Sequence, residues 1–448
     1  MSRLDIVTAY VAARWRAATL HGPRLQLWQQ NRVVQLVDDV RARSAFHRDL
    51  WHDLPAAEWE SFPTVDKRTM MEHFGRFNTI GVTLDEAMAV ALDAERRRDF
   101  TAAVRGCTVG LSSGTSGHRG LFLVSPGEQT RWAGTILARA IPDLRPGHRV
   151  AFFLRANSRL YERTSSLVQF RFFDLMQPLD DVVEQLNALS PQLIVGPPSL
   201  LGMLADAKEN GRLHVAPSRI ISVAEVIEPQ DRARLERIFQ VGVGEVYQCT
   251  EGLIAVTCRH GALHVQEDVI LMQTERIASD DATRVTPILT DLWRRTQPIV
   301  RYRLGDVLQL DATPCPCGSA WQRIAAIEGR QDDLCWFPRA DDTLRVVFPD
   351  AIRRMVLLAD TRIVEYRVEQ PSAGEVRAYI AVSEPSAFAE IAARLRTTVN
   401  DTLREYACRA TAMTIHEGVP ASPAGVKRRR IVCTWRAAPR SRIQVAHQ

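Results

Sequence analysis

The chain has 448 residues, of which 46% are hydrophobic and 24% charged, with a formal net charge of +5; this length supports a large core and suits a two-domain plan. No uninterrupted apolar run reaches the roughly 18–20 residues that cross a bilayer, and so modest a positive charge does not by itself point to nucleic acid. Arginine carries nearly all of the positive charge. Lys67, Lys208 and Lys427 are the only lysines, so a lysine here can mark a place that needs a compact ammonium.

In chain order, the opening MSRLDIVTAYVAARWRAATL mixes acid and arginine with apolar positions. It predicts an amphipathic helix rather than a secretory signal, which makes the cytoplasm the expected location. From Arg149 to Gln248 short strands alternate with helices: VAFFL, then helical DDVVEQLNALS, then LIVG, then a helix from near Pro198 to Asn210–Gly211. RIISVAE is a strand, EPQDRARLERIF a helix and GEVYQ a strand. Such alternation implies βαβ units and an α/β fold, a large N-terminal body with parallel-rich sheets and flanking helices. The aromatic-rich stretch from Phe152 to Phe173 reads either as the lining of a substrate pocket or as core. Near the end, RVVF, TRIVEYRVE and EVRAYIAV read as strands, with helices near Asp350–Leu358 and Ala387–Tyr406. This predicts a small α+β lid domain. The polar run GRQDD, Gly329 to Asp333, is the junction, dividing the chain into 1–332 and 333–448.

Six segments carry the chemistry. LSSGTSGHRG, Leu111 to Gly120, is a run of glycines and hydroxyls whose N–H and O–H groups can surround phosphate oxygens. It is followed by SVAEV (Ser222–Val226), YQCTEG (Tyr247–Gly252), PIVRYRLGD (Pro298–Asp306), EGRQDD (Glu328–Asp333) and GVKRRRI (Gly425–Ile431). Taken singly, each has a plainer reading: a surface loop, a turn acid, a solvated arginine. The KRRR run alone reads as an exposed face or a nucleic-acid patch.

In this order the segments resemble the adenylate-forming superfamily of acyl- and aryl-CoA synthetases, and the resemblance spans most of the chain. It is strongest to phenylacetate–CoA ligases and to the synthetases that adenylate a deazaflavin coenzyme, with this chain as a branch beside the latter. The resemblance implies that Ser112, Ser113, Gly114, Thr115, Ser116, Gly117 and Arg119 hold ATP phosphates. It places Ala224 and Glu225 beside the adenine, and Tyr247, followed by Gln248, over it. Thr250 would contact the α-phosphate or carboxylate and Glu251 would hold Mg²⁺. Asp306 would accept both ribose hydroxyls, Arg330 would reach ribose or phosphate, Asp332 would be the hinge of the lid, and Lys427 its mobile catalytic lysine. Two departures stand out. His118-Arg119-Gly120 replaces the usual Pro-Lys pair, and Val426 stands where a glycine is usual before Lys427.

Eight cysteines in a chain expected in the cytoplasm turn attention from disulfides to spacing. Cys258 and His264 lie in TCRHGALHVQED, and Cys315 and Cys317 in CPCGS. Three thiols and an imidazole suit a closed structural Zn²⁺ site, with His260 as a competing ligand; relatives of the phenylacetate-ligase type share a similar arrangement. The expected function is ATP-dependent activation of a carboxylic acid, aromatic or acyl, as acyl-AMP with release of pyrophosphate. Transfer to the thiol of CoA or a carrier protein follows, with no nucleic-acid or membrane partner; the oligomeric state stays open. The alternatives are a nucleotidyltransferase that leaves AMP on a phenolic or similar hydroxyl, and a nucleotide-binding regulator without turnover.

Overall fold

A computed structural model of the chain describes residues 3–97, 102–111, 120–141, 147–154, 168–278, 281–421 and 429–435. They form two compact units. The larger holds the described residues of Met1–Leu304 with Leu308–Ile327, and the smaller those of Gly305–Val307, Glu328–Pro423 and Lys427–Gln448.

The larger unit opens with helices Arg3–Thr19 and Gly22–Arg43. The first buries Ile6 and Ala13, with Leu20 buried just beyond it, but leaves Leu4, Val7, Val11 and Trp15 exposed. Three short strands follow, β1 (Ala103–Val104), β2 (Cys107–Leu111) and β3 (Leu121–Val124), as an antiparallel sheet. Helix Pro126–Ala140 comes next, started by a capping box of Ser125 and Glu128.

The main sheet contains β4 (His148–Leu154), β5 (Val168–Asp174), β6 (Leu193–Gly196), β7 (Arg219–Val223), β8 (Val243–Cys249), β9 (Gly252–Thr257), β10 (Leu263–Val265), β11 (Ile270–Ala278), β12 (Asp281–Asp291), β13 (Tyr302–Arg303), β14 (Asp306–Asp311) and β15 (Arg323–Arg330). Strands β5, β4, β6, β7 and β8 lie side by side and parallel. Helices Leu179–Leu189, Pro198–Glu209 and Pro229–Phe239 alternate with them, as the βαβ pattern predicts. Pro198 and Pro229 start two of these helices; Ser190 and Gln240, in left-handed φ, end two of them. Leu186, Ile194, Leu201, Leu204 and Ile220 fill one core beside this half. At β8 the pattern changes: β8–β9, β9–β10 and β10–β15 pair antiparallel, and so does the long β11–β12 hairpin.

The smaller unit contains the hairpin β16 (Cys335–Pro338) and β17 (Leu344–Val347). Its sheet runs in the order β20 (Ala412–Glu417), β19 (Glu375–Val382), β18 (Ile363–Gln370), β21 (Ile431–Cys433). Helices Pro349–Ala359 and Phe388–Glu405 pack on it through Met355, Ile391, Leu395 and Leu403. This is the expected α+β domain, with two further strands, β20 and β21, that the sequence pattern did not announce. The last strand explains part of the basic run. Arg430 pairs with Glu365 at 3.0 Å and Arg429 pairs with buried Asp333, so these two arginines serve the domain's own structure.

Candidate active site and metal cluster

The end of β8 and the start of β9 form a tight turn, Cys249 to Gly252, at the point where the sheet switches from parallel to antiparallel. Such switch points at strand ends are where α/β sheets bind ligands. Glu251 is only 8% exposed. One of its oxygens accepts from the Thr250 hydroxyl at 2.8 Å and the other from the Tyr302 phenol at 3.0 Å. Burial, and then the adjacent Glu251 carboxylate, holds the Tyr302 phenol well above its usual range, so it stays a donor. Glu251 thus sits between two neutral donors, with lone pairs to spare for a hard cation.

A buried polar segment fixes this turn. Arg294 donates to the Thr250 carbonyl and, at 3.2 Å, to the Leu123 carbonyl. Gln297 bonds both Leu123 N (2.8 Å) and Leu121 O (3.1 Å). Glu128 accepts from Arg295 N at 2.7 Å and Thr296 N at 2.9 Å. Burial pushes the Glu128 carboxyl up, but these N–H groups and Arg294 outweigh it, and the net shift is downward. Asp291 accepts from Trp293 N (2.9 Å) and Arg294 N (3.1 Å); burial pushes its carboxyl up to about 6 despite them. Its other oxygen lies against Gly252, where a Cβ would stand 3.1 Å from it and 2.9 Å from Ile270 Cδ1, so any larger residue there would have to push both side chains aside. Asp291, Arg294, Gln297 and Glu128 carried no signal in the sequence: acids and arginines are too common in this chain to single out.

Among the expected nucleotide residues of the larger unit, Ala224 is exposed and adopts φ +69°, a region that is strained for a residue with a Cβ. Glu225 accepts from Ser199 N at 3.2 Å, at the start of helix Pro198–Glu209. Gln248 is exposed, and its amide oxygen accepts from Trp132 Nε1 at 3.1 Å. Tyr247 is 8% exposed and its ring packs in the core with Ile254, Ala255 and Leu263. In the stretch from Phe152 to Phe173, Phe153 and Phe173 are fully buried and stacked, with centroids 4.7 Å apart. Phe152 and Phe170 form a half-buried pair at 5.3 Å, beside Trp132. Ser112, Ser113, Gly114, Thr115, Ser116, Gly117, Arg119 and Lys427 lie outside the described residues.

In the smaller unit Asp306 is buried and Arg330 pairs with it at 3.1 Å. The structure thus brings together the two residues expected at the ribose. Asp332 is exposed on the 3₁₀ turn Gln331–Asp333, while Asp333 is buried.

Cys258, His264, Cys315 and Cys317 converge in the larger unit, all ligand atoms within 4.8 Å of one another. Cys258 Sγ lies 3.7 Å from Cys315 Sγ, and Cys317 Sγ 3.5 Å from His264 Nε2. Tetrahedral Zn²⁺ with bonds of about 2.3 Å to sulfur and 2.0–2.1 Å to nitrogen sets these edges at about 3.8 and 3.6 Å. Two similar turns present the thiols. His260 N donates to Cys258 Sγ and Ser319 N to Cys317 Sγ, each at 3.4 Å. Gly261 and Gly318 close the turns with φ of +80° and +84°, which glycine adopts freely. His264 Nδ1 lies 3.1 Å from the Trp321 carbonyl, which fixes the tautomer and leaves Nε2 for a metal. His260 is exposed and its Nε2 accepts from Arg259, so it stands outside the cluster.

No family model matches the chain, and no curated protein does. Solved structures do. A 2-hydroxyisobutyryl-CoA ligase in its postadenylation state, in complex with R3-HIB-AMP, shares 18% identity over 93% of this chain and 91% of its own, with a TM-score of 0.69. An ATP-bound RpMatB–BxBclM chimera shares 16% over 72% of this chain and 66% of its own, with a TM-score of 0.51. The amide bond synthetase McbA from Marinactinospora thermotolerans shares 14% over 71% and 68%, also with a TM-score of 0.51. The larger unit's mixed sheet and the α+β unit that follows it are therefore the fold of the adenylate-forming CoA ligases.

Proposed function

We propose that the chain is an adenylate-forming ligase that activates a carboxylic acid and passes it to a thiol. A carboxylate oxygen attacks the α-phosphorus of ATP, the bond to the β-phosphate breaks and pyrophosphate leaves. A thiol, of CoA or a carrier protein, then gives up its proton and attacks the acyl carbon, and AMP leaves. The observation that supports this most is Glu251, a buried carboxylate whose donors among the described residues are two neutral hydroxyls. It stands in a body with the fold of ligases captured with acyl-AMP.

Mg²⁺ held at Glu251 would neutralise phosphate charge as pyrophosphate departs. The chain's own residues do the positioning. Thr250 orients the Glu251 carboxylate, and Arg294 holds the turn through the Thr250 carbonyl. Asp306 serves as acceptor for the ribose hydroxyls, with Arg330 beside it. Ser112 to Gly117 and Arg119 cradle phosphates. Lys427 supplies an ammonium between the attacking carboxylate and the α-phosphate, and Asp332 is the pivot that withdraws it before transfer. Phe152, Phe170 and Trp132 offer half-buried aromatic surface for an aromatic or acyl side chain. The cysteine–histidine cluster holds a structural Zn²⁺, since four protein ligands leave no position for substrate.

Exchange of labelled pyrophosphate into ATP, tested with aryl, hydroxy and fatty acids, decides the matter. Acid-dependent exchange is expected. A protein that binds ATP but exchanges with no acid, or that leaves AMP stably on a hydroxyl of its substrate, contradicts the reading.

A further inference from the structure

Four guanidinium groups gather around one tryptophan of the larger unit. The Arg32, Arg131 and Arg16 Cζ atoms lie 4.0, 4.2 and 5.2 Å from the centroid of the Trp293 ring. Arg295, two residues on, joins them: its charge, with those of Arg131 and Arg16, opposes that of Arg32. Burial first, then this repulsion, brings Arg32 down to about 10 and lowers Arg131 as well.

Carboxylates do not balance the group. Asp268 is shared between Arg16 and Arg139, and Asp39 between Arg295 and Arg43. Glu128 and Asp291 face Arg131 electrostatically, but both oxygens of Glu128 and one of Asp291 already accept backbone N–H groups, and the other oxygen of Asp291 lies against Gly252. Among the described residues, Arg32 bonds only the Leu292 carbonyl (3.2 Å) and Gln35 (3.4 Å). Among the described residues, neither Arg32 nor Arg131 has an ion-pair partner. Arg16 is buried, yet its Nη2 has no hydrogen-bond partner among the described residues, and neither has Arg32 Nε. Half-buried like charges with unspent N–H donors are costly to a fold and favour one kind of guest.

We propose that the cluster of Arg16, Arg32, Arg131 and Arg295 around Trp293 is a binding site for a phosphate group. Guanidinium forks match tetrahedral oxyanions, and a doubly charged guest relieves several repulsions at once, which a halide or single carboxylate does not. The site is separate from Glu251, yet Arg294, which lies between Trp293 and Arg295 in the chain, links the two through its hydrogen bond to the Thr250 carbonyl.

The test is thermal unfolding of the full chain in sodium phosphate against sodium chloride at equal ionic strength, for the natural protein, Arg131→Gln and Arg32→Gln. A third arm uses glycerol 2-phosphate. Phosphate should raise the melting temperature of the natural protein by a few degrees. Each variant should melt higher than the natural protein in chloride, because repulsion is relieved, and should lose the phosphate-dependent rise. By isothermal titration each should bind phosphate about tenfold or more weakly. A rise with both phosphate and the monoester identifies the phosphate group as what is read; a rise with the monoester alone identifies an organic phosphate as the guest. No rise in the natural protein, a rise that persists in both variants, or variants that melt lower in chloride would each overturn the proposal. ATP-site chemistry is tested separately by pyrophosphate exchange, so failure of one leaves the other standing.

Discussion

Asp291→Asn should make the protein more stable, and by an amount that depends on pH. The Asp291 carboxyl titrates at about 6 in the folded chain against an ordinary value of 3.8. It binds its proton more tightly folded than unfolded, so ionisation favours the unfolded chain. The cost is absent below pH 3.8, grows as pH rises and is complete above pH 6. A difference of about 2 units is worth about 3 kcal/mol at pH 8, about 1.5 kcal/mol at pH 5 and almost nothing at pH 3. Asparagine keeps an oxygen to accept from Trp293 N and Arg294 N, so it mimics the protonated acid. Urea unfolding of both proteins at pH 8 and pH 5 measures the difference. A gain at pH 8 about twice that at pH 5 is expected. An equal gain at both, or a loss at pH 8, would falsify the account of Asp291 as a buried, reluctantly ionised carboxylate. If the charge is retained for the Glu251 turn, the stabler variant should also be the slower one.

Protein purified without added metal should contain about one zinc per chain by elemental analysis; Cys315→Ser should lose it and melt lower, while His260→Ala should keep it. Asp306→Ala should weaken ATP binding about ten- to hundredfold, as measured by calorimetry, through loss of a charged acceptor. Tyr302→Phe should cost roughly 1.5–3 kcal/mol at pH 7.5 by removing the donor to Glu251. Because the Tyr302 phenol is raised above 10.0, its contribution is present below pH 10 and lost as pH climbs further, so urea midpoints of the two proteins should converge at more alkaline pH. Lys427→Ala should slow adenylation on the order of a hundredfold or more, and Lys427→Arg should restore little. Acyl-AMP supplied to the Ala variant should still be transferred at a near-normal rate; equal loss of both steps would remove the case for a swinging lid.

The parallel half of the sheet was legible because its signals are local. LIVG is four apolar residues between turn signals, and helix Pro198–Glu209 carries proline at one end and Asn210–Gly211 at the other. The cysteine quartet was legible for a different reason: thiols are rare, and CPCG aims two of them together. The choice of His264 over His260 was settled by strand register. His264 sits on β10 opposite Arg323 of β15, just after the cysteine-bearing loop, whereas His260 falls in the preceding turn. What stayed hidden depends on partners far away in sequence. Nothing local distinguishes Arg294, which reaches Thr250 and Leu123, from the many arginines on the surface. Arg429 and Arg430 looked like a basic patch because their acids, Asp333 and Glu365, lie well upstream. Strand β21 was missed because three apolar residues after a charged run give no period to read.

The fastening of the first helix decides how the chain tolerates trimming. Arg16 meets Asp268 at 2.9 Å, Arg139 grips the same carboxylate, and the Leu20 carbonyl accepts from Trp321 Nε1 at 3.0 Å. Asp268 is wholly buried. A shortened protein beginning after Leu20 would leave that carboxylate with one guanidinium instead of two, and breaking such a buried pair commonly costs about 3–5 kcal/mol. It would also cut the link to Trp321, the residue that orients His264. A protease that clips this helix from the outside, where Val11 and Trp15 lie open, would therefore loosen the cysteine–histidine cluster some 250 residues downstream.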